Sequence, residues 1–175
     1  MTTLATLRRA TASDLGAIEA LQHAAYAANR AILGVEPLPL QADYAEILAT
    51  MEVWCAGPPN GLAGLLILEP HPDHLLIWSI AIDPAGQSRG LGRTLLAAAE
   101  DRAHQLGLPQ MQLYTGSKLT ERVAWYGRHG YTVSRIEQLQ DRSITYMSKT
   151  LAQATPRSET STDTAKSSLF DAAPD

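Results

Sequence analysis

The sequence predicts an α+β fold: a central mixed β-sheet flanked by helices on both faces. Three observations carry this. The strand-like and helix-like segments follow one another as one strand, two helices, three strands, a helix, a strand, a helix and two strands. One apolar strand runs through a glycine-containing turn straight into a helix, at Ile77–Arg93. The chain has 175 residues, of which 45% are apolar, enough for one domain with a real core.

The opening Thr6–Arg9 reads as an edge strand. Ser13-Asp14 looks like a helix start, and Leu15, Ile18, Leu21 and Ala25 follow at helical spacing. Gly34, Pro37 and Pro39 break the pattern. Asp43 to Met51 reads as a second short helix with Tyr44, Ile47, Leu48 and Met51 on one side. Glu52–Ala56 and Leu62–Glu69 are apolar runs around the turn Gly57-Pro58-Pro59-Asn60-Gly61, hence a hairpin. Pro70-His71-Pro72-Asp73 turns the chain into His74–Ile82, an apolar and partly β-branched run that reads as a central strand. Gly90–Leu106 is the strongest helix, with Leu91, Leu95, Ala98, Arg102 and Leu106 on one stripe and Gly107 where a helix stops. Gln110–Thr115 is a strand, Ser117 begins a helix ending near Gly130, and Tyr131–Glu137 with Ser143–Thr150 close the sheet. From Ala152 to Asp175 the chain is rich in Ser, Thr, Ala and Asp with few large apolar residues. A segment of that composition does not bury enough surface to offset its chain entropy, so residues 152–175 read as a disordered tail behind a domain at 6–151.

Composition narrows the function. The net charge is −4, and no basic run suggests a nucleic-acid or membrane surface. The single cysteine, Cys55, excludes an intramolecular disulfide and a cysteine zinc cluster, and fits a reducing cytoplasm. Met1–Ala10 has no apolar signal-peptide core, and the longest apolar stretches, Leu62–Leu68 and Leu75–Ile82, are too short to span a bilayer. No metal is expected.

The chemistry concentrates in Gln87-Ser88-Arg89-Gly90-Leu91-Gly92-Arg93, which follows the strand and Asp83-Pro84 and opens the helix. Glycines let consecutive backbone N–H groups converge on an anion. The helix N-terminus behind them adds unpaired donors and about half a positive charge. A pyrophosphate fits that description. The bare pattern equally fits an ordinary tight turn, with Arg89 and Arg93 simply solvated. A dinucleotide-binding unit is disfavoured, because its Gly-x-Gly-x-x-Gly spacing is absent and the site comes halfway along the chain.

The strand, the Asp83-Pro84 step and Gln87-x-x-Gly90-x-Gly92 resemble motif A of the GCN5-related N-acetyltransferase (GNAT) superfamily. The resemblance implies a GNAT-like fold and acetyl-CoA as co-substrate. It implies that Ile80, Ala81 and Ile82, on a bulged strand, meet the acetyl carbonyl and pantetheine, and that Gln87, Ser88, Arg89, Gly90, Leu91, Gly92 and Arg93 hold the pyrophosphate. A second resemblance lies in Leu113-Tyr114-Thr115 and the stretch Leu119–Tyr131, where Tyr126 occupies the position of the family's thioester-facing tyrosine. By residue pattern alone Tyr126 is a core anchor, sharing a helical face with Leu119 and Val123. Together the two resemblances cover about Leu7 to Thr150. Arg122 stands where many members place a pantetheine-binding Asn, and Trp78 and Ser79 stand where many place a carboxylate base. Tyr26, Asp43 and Tyr44 fall in the region that covers the acceptor cleft in GNAT folds; by pattern alone the tyrosines pack helices and Asp43 caps one.

The implied reaction is attack of a neutral amine on the acetyl thioester. Backbone N–H groups near Ala81 or Ile82 would meet charge developing on the carbonyl oxygen, and Tyr126 would protonate the departing thiolate. Glu69, His71, His74 and Asp43 are the available bases, each also readable as a solvated turn or cap residue. An acyl-cysteine on Cys55 lacks a supporting His/Asp constellation. The acceptor is an amine of a small molecule or a protein, and the mild negative charge favours a cationic one. The implied protein is a monomer or homodimer. The alternative is a non-catalytic acyl-CoA-binding module, which has no need of Tyr126.

Overall fold

The computed structural model describes residues 4–87 and 89–152. Ser88 and residues 153–175, on which one loop contact and nearly all of the tail assignment fall, lie outside the described residues. Seven strands form one sheet: β1 (Arg8–Arg9), β2 (Glu52–Ala56), β3 (Gly64–Pro70), β4 (Leu75–Ile82), β5 (Gln110–Gly116), β6 (Thr132–Gln138) and β7 (Ser143–Thr150). Their order is β1-β2-β3-β4-β5-β7-β6, and every neighbouring pair is antiparallel except β4 with β5. The helices are α1 (Leu15–Tyr26), α2 (Asn29–Leu33), α3 (Tyr44–Thr50), α4 (Leu91–Gln105) and α5 (Thr120–Arg128). The sheet is therefore mixed and covered on both faces, as the order of segments predicts.

Strand β3 shows why two layers of helix are needed. Its run Leu65–Leu68 is wholly buried on both sides. Leu66 and Leu68 join the core under α4, with Leu95, Leu96 and Ala99, while Leu65 and Ile67 join the core under α1 and α3, with Ile18, Leu21 and Ile47. Each such side chain contributes about 1.5–3 kcal/mol on full burial.

Strand β4 changes its facing midway. Ser79 pairs with Ile67 and Ile77 with Leu68, so Trp78 is an extra residue with no partner on β3. A bulge of this kind reverses which side successive residues face. Leu75 and Ile77 lie in the α4 core; beyond the bulge Ala81 belongs to the α1 core, while Ile80 and Ile82 pack against the α4 core. Parallel pairing with β5 ends at Ile77–Leu113, so the two strands part from there on.

Three local expectations are corrected. Helix α5 begins at Thr120 rather than Ser117, because Ser117 sits in the turn after β5 and is tied to β7. Its N–H donates to the Ser143 carbonyl at 2.9 Å, and its hydroxyl meets Thr145 Oγ1 at 2.8 Å. Helix α2, only five residues long and closed by Gly34 at φ 76°, interrupts what reads as loop. On α4 the buried stripe ends on Ala103, with Leu106 38% exposed. Arg102 instead reaches back to the Glu52 carboxylate of β2 at 2.7 and 2.9 Å.

Asp14 stands at the N-cap position of α1, where the Ser13-Asp14 step predicts a helix start, and its side chain is turned to Arg8 and Thr11. It is 1% exposed and accepts from both terminal nitrogens of Arg8 at 2.8 and 2.9 Å and from the Thr11 N–H at 2.8 Å. The Arg8 guanidinium and the Thr11 amide hold its carboxyl well below the usual carboxylate range. Its proton is thus bound more weakly folded than unfolded. The stabilisation is complete above the unfolded value of about 4 and is lost as pH falls below it. Asp14→Asn should cost about 1–3 kcal/mol at neutral pH and flatten the acid-side loss. Urea unfolding at neutral and acidic pH checks this; equal loss at both would mean that packing, not charge, holds the site.

Candidate active site

The chain leaves β4 through Asp83, whose carboxylate accepts from the Ala85 N–H at 2.9 Å and fixes a single helical turn at Pro84–Gly86. Gly90 then precedes α4 with φ 79°, in the left-handed region. A Cβ there would meet nothing within 4 Å, so the position requires glycine for its backbone and not for space. As the residue before α4, Gly90 has no side chain to cap it, and the first turn of α4 contains no acidic residue. Among the described residues nothing accepts from the N–H groups of Leu91, Gly92 and Arg93, which stand at the positive end of a 15-residue helix. They border a cleft of about 570 Å³, which Gln87 also lines. By contrast α3 is closed by Asp43, which accepts from Ala45 and Glu46 N–H at 2.9 and 3.1 Å. Gly92 has a different duty: a Cβ there would come 3.1 Å from Ile82 and 3.5 Å from Trp125, so its absence lets α4 sit close to β4 and α5.

Beyond Ile77 the edge of β4 that faces β5 is open. The Asp83 N–H donates to Ala63 on the β3 side at 3.0 Å, and Ala81 pairs with Leu65. Backbone groups alternate sides along a strand, so the amides of Ile80 and Ile82 turn to the gap and that of Ala81 turns to β3. The Tyr26 hydroxyl, donating to the Ile80 carbonyl at 3.2 Å, marks the same side. The gap therefore carries the Ile80 and Ile82 amides, and the bulge that opens it lies at Trp78.

A second cavity fills the gap between β4 and β5, beneath α1, α2 and the loop that follows α2. It meets the cleft at Tyr26, Ile80, Arg122 and Tyr126, which line both. Tyr26 is fixed by its hydroxyl, 3.0 Å from Ser79 Oγ, which in turn accepts from the fully buried Gln22 amide at 3.1 Å. The Arg122 guanidinium lies 5.1 Å from the Tyr26 ring centroid. Tyr126 is buried, ring against ring with Trp125 and Tyr131 at 5.0 and 5.7 Å, and its hydroxyl has no hydrogen-bond partner among the described residues. Burial, with the nearby Tyr26 phenol, pushes its pKa well above the ordinary phenol value, and Arg122 opposes this.

Other sequence candidates lie outside both cavities. Tyr44 donates to the Pro39 carbonyl at 2.6 Å and packs edge-on against Trp78 at 6.2 Å. Asp43 is the α3 cap, and Arg89 is exposed. Glu69, His71 and His74 belong to the far end of the β3–β4 hairpin, with the imidazoles stacked at 4.5 Å. Cys55 is 1% exposed, and burial pushes its thiol up to about 11, leaving little thiolate at neutral pH. The sequence reading passed over Gln22, Asn29 and Trp125. Gln22 was detectable, since a polar residue one turn after Ile18 interrupts the apolar stripe of α1.

Known proteins resemble this arrangement. The acetyltransferase (GNAT) family model matches residues 18–131, a span that runs from α1 through the helix bearing Tyr126. Among curated proteins, the uncharacterized N-acetyltransferase YvbK of Bacillus subtilis is 27% identical over 93 residues, covering 53% of this chain and 60% of that protein. The matched stretch thus spans less than two thirds of its relative. Among solved structures, the ribosomal-protein-S18-alanine N-acetyltransferase from Escherichia coli aligns with a TM-score of 0.70 at 19% identity, over 87% of this chain and 97% of that one. A GNAT family acetyltransferase from Elizabethkingia anophelis with acetyl-CoA bound aligns at 0.58 and 18%, over 83% and 97%. At these identities the structural likeness speaks for the fold. With most of the chain matched by the family model, and the open helix end of α4 and the parted β4 and β5 inside the match, the protein belongs to the acetyltransferase (GNAT) family.

Proposed function

We propose that the protein transfers the acetyl group of acetyl-CoA to a primary amine. The observation that carries this reading is the meeting of two cavities at Tyr126: one bordered by the open N–H groups of α4, the other separate and mostly apolar. Those uncapped donors suit a pyrophosphate, and a structural neighbour is described with acetyl-CoA bound. The Ile80 and Ile82 amides face the gap where a carbonyl oxygen would gain charge. Tyr126, protonated at neutral pH, would give its proton to the sulfur as the C–S bond breaks and the N–C bond forms. The amine loses one proton to solvent, and solvent restores Tyr126. A reducing cytoplasm suits Cys55, a free buried thiol.

Among the described residues no Asp, Glu or His lines the acceptor cavity. The amine must therefore arrive neutral or lose its proton through water. The expected result is a kcat/KM that climbs with pH toward the pKa of the acceptor itself, about 8 for a peptide α-amine and about 10.4 for a lysine. Thiol release from acetyl-CoA across an amine panel, at several pH values, tests this. Acetyl-CoA binding without release for any amine would leave a binding module; a fixed inflection near neutrality for every amine would place a base on the protein.

A further inference from the structure

We propose that the acceptor is an amine that carries a carboxylate on an apolar body, the carboxylate being held by Asn29 and Arg122. The proposal rests on the acetyl-transfer reading and concerns its second cavity. Four observations lead to it.

Asn29 opens α2, is 8% exposed and lines the cavity, yet its Nδ2 has no hydrogen-bond partner among the described residues. Leaving a buried donor unpaired costs about 1–3 kcal/mol, so a ligand that supplies an acceptor relieves a penalty already present. Arg122 lines the same cavity, no described carboxylate lies within ion-pair distance of it, and its guanidinium lies over the Tyr26 ring. Arg142 also lines the cavity but is committed elsewhere, to Asp141 at 2.7 and 3.0 Å and to the Glu36 carbonyl at 3.1 Å. That leaves one uncommitted guanidinium and one uncommitted amide on the walls of one cavity, both donors. Finally, no described Asp, Glu or His lines the walls, and the rest are largely apolar, among them Leu33, Val35, Trp78 and Leu113.

A ligand with a second ammonium would bury that charge without a partner. A carboxylate would satisfy both open donors, and an apolar middle would meet the remaining wall. The net charge of −4 argues for cationic acceptors only at long range. Over more than a Debye length of about 8 Å it is screened, and within the cavity the nearest charge decides.

The test compares acceptors that share a carbon chain and differ only at the far end: hexylamine, ε-aminocaproate and hexamethylenediamine, then butylamine, γ-aminobutyrate and putrescine. Thiol release from acetyl-CoA gives kcat/KM for each. The carboxylate member should lead its series by about tenfold or more, the worth of one charged hydrogen bond. Arg122→Gln and Asn29→Leu should each shrink that lead, and Asn29→Leu, which removes the unpaired donor, should not lower the thermal midpoint of the free protein. Preference for the neutral amine or the diamine overturns the proposal while leaving acetyl transfer standing. So does an unchanged lead in both variants, and a fall in acetyl-CoA affinity alone would assign Arg122 to the cofactor cleft. Calorimetric titration of the two carboxylate amines into protein saturated with coenzyme A separates the layers. Binding without turnover for any amine keeps the carboxylate site and rejects transfer, whereas neither binding nor turnover rejects the site.

Discussion

Tyr126→Phe should lower kcat about 10²-fold, roughly 2.7 kcal/mol of barrier, with acetyl-CoA affinity nearly unchanged. The substitution keeps the ring, so the contacts with Trp125 and Tyr131 persist. It removes a hydroxyl that has no partner among the described residues, so the folded protein loses no internal hydrogen bond. Stability should therefore change by less than about 0.5 kcal/mol. A structural tyrosine and a proton donor predict opposite outcomes in turnover and the same outcome in stability. The measurement is single-turnover thiol release with an acceptor for which chemistry limits the rate. Turnover at the wild-type rate would make Tyr126 a core residue, with the proton coming from water or the acceptor.

Gly90→Asp should abolish most acetyl-CoA binding, by about 10²-fold or more, without unfolding the domain. A Cβ at residue 90 has open space around it, and Asp tolerates the left-handed backbone better than most residues. Its carboxylate would stand at the positive end of α4 and neutralise it, placing a negative charge at the proposed pyrophosphate site. The charge at the helix end, about 0.3–1 kcal/mol, offsets part of the backbone cost of about 1–2 kcal/mol. The informative result is a thermal midpoint close to wild type beside lost affinity in titration calorimetry. Retained affinity would mean that the end of α4 is not the phosphate site.

Much of this was readable in the sequence, because the decisive features are local. A double-sided apolar run such as Leu65–Leu68 specifies a strand between two layers of helix. The Gly90-x-Gly92 step specifies a backbone that only glycine adopts easily, followed by a position where a Cβ would crowd Ile82. Features set by partners distant in the chain were not readable. Ser117 has the residue type of a helix cap, yet it serves β7 through Ser143 and Thr145. Asn29 looks like any surface asparagine until α2 is laid over the gap between β4 and β5. Asp43 and Tyr44 sit in the right stretch of chain, but the turn of α3 aims them at its own backbone and at Trp78.

The extra residue at Trp78 makes β4 behave like a text with a reading frame. Upstream of it odd-numbered side chains face α4; downstream they face α1. Removing that one residue would shift the phase of everything after it. Ser79 would leave Gln22 and Tyr26, and the amides of Ile80 and Ile82 would exchange sides with that of Ala81. The wall shared by the two cavities would then be built from the wrong residues, although composition and hydrophobicity would hardly change. Relatives that differ in length along this strand are therefore expected to differ by pairs of residues, since a single one rewrites both chambers.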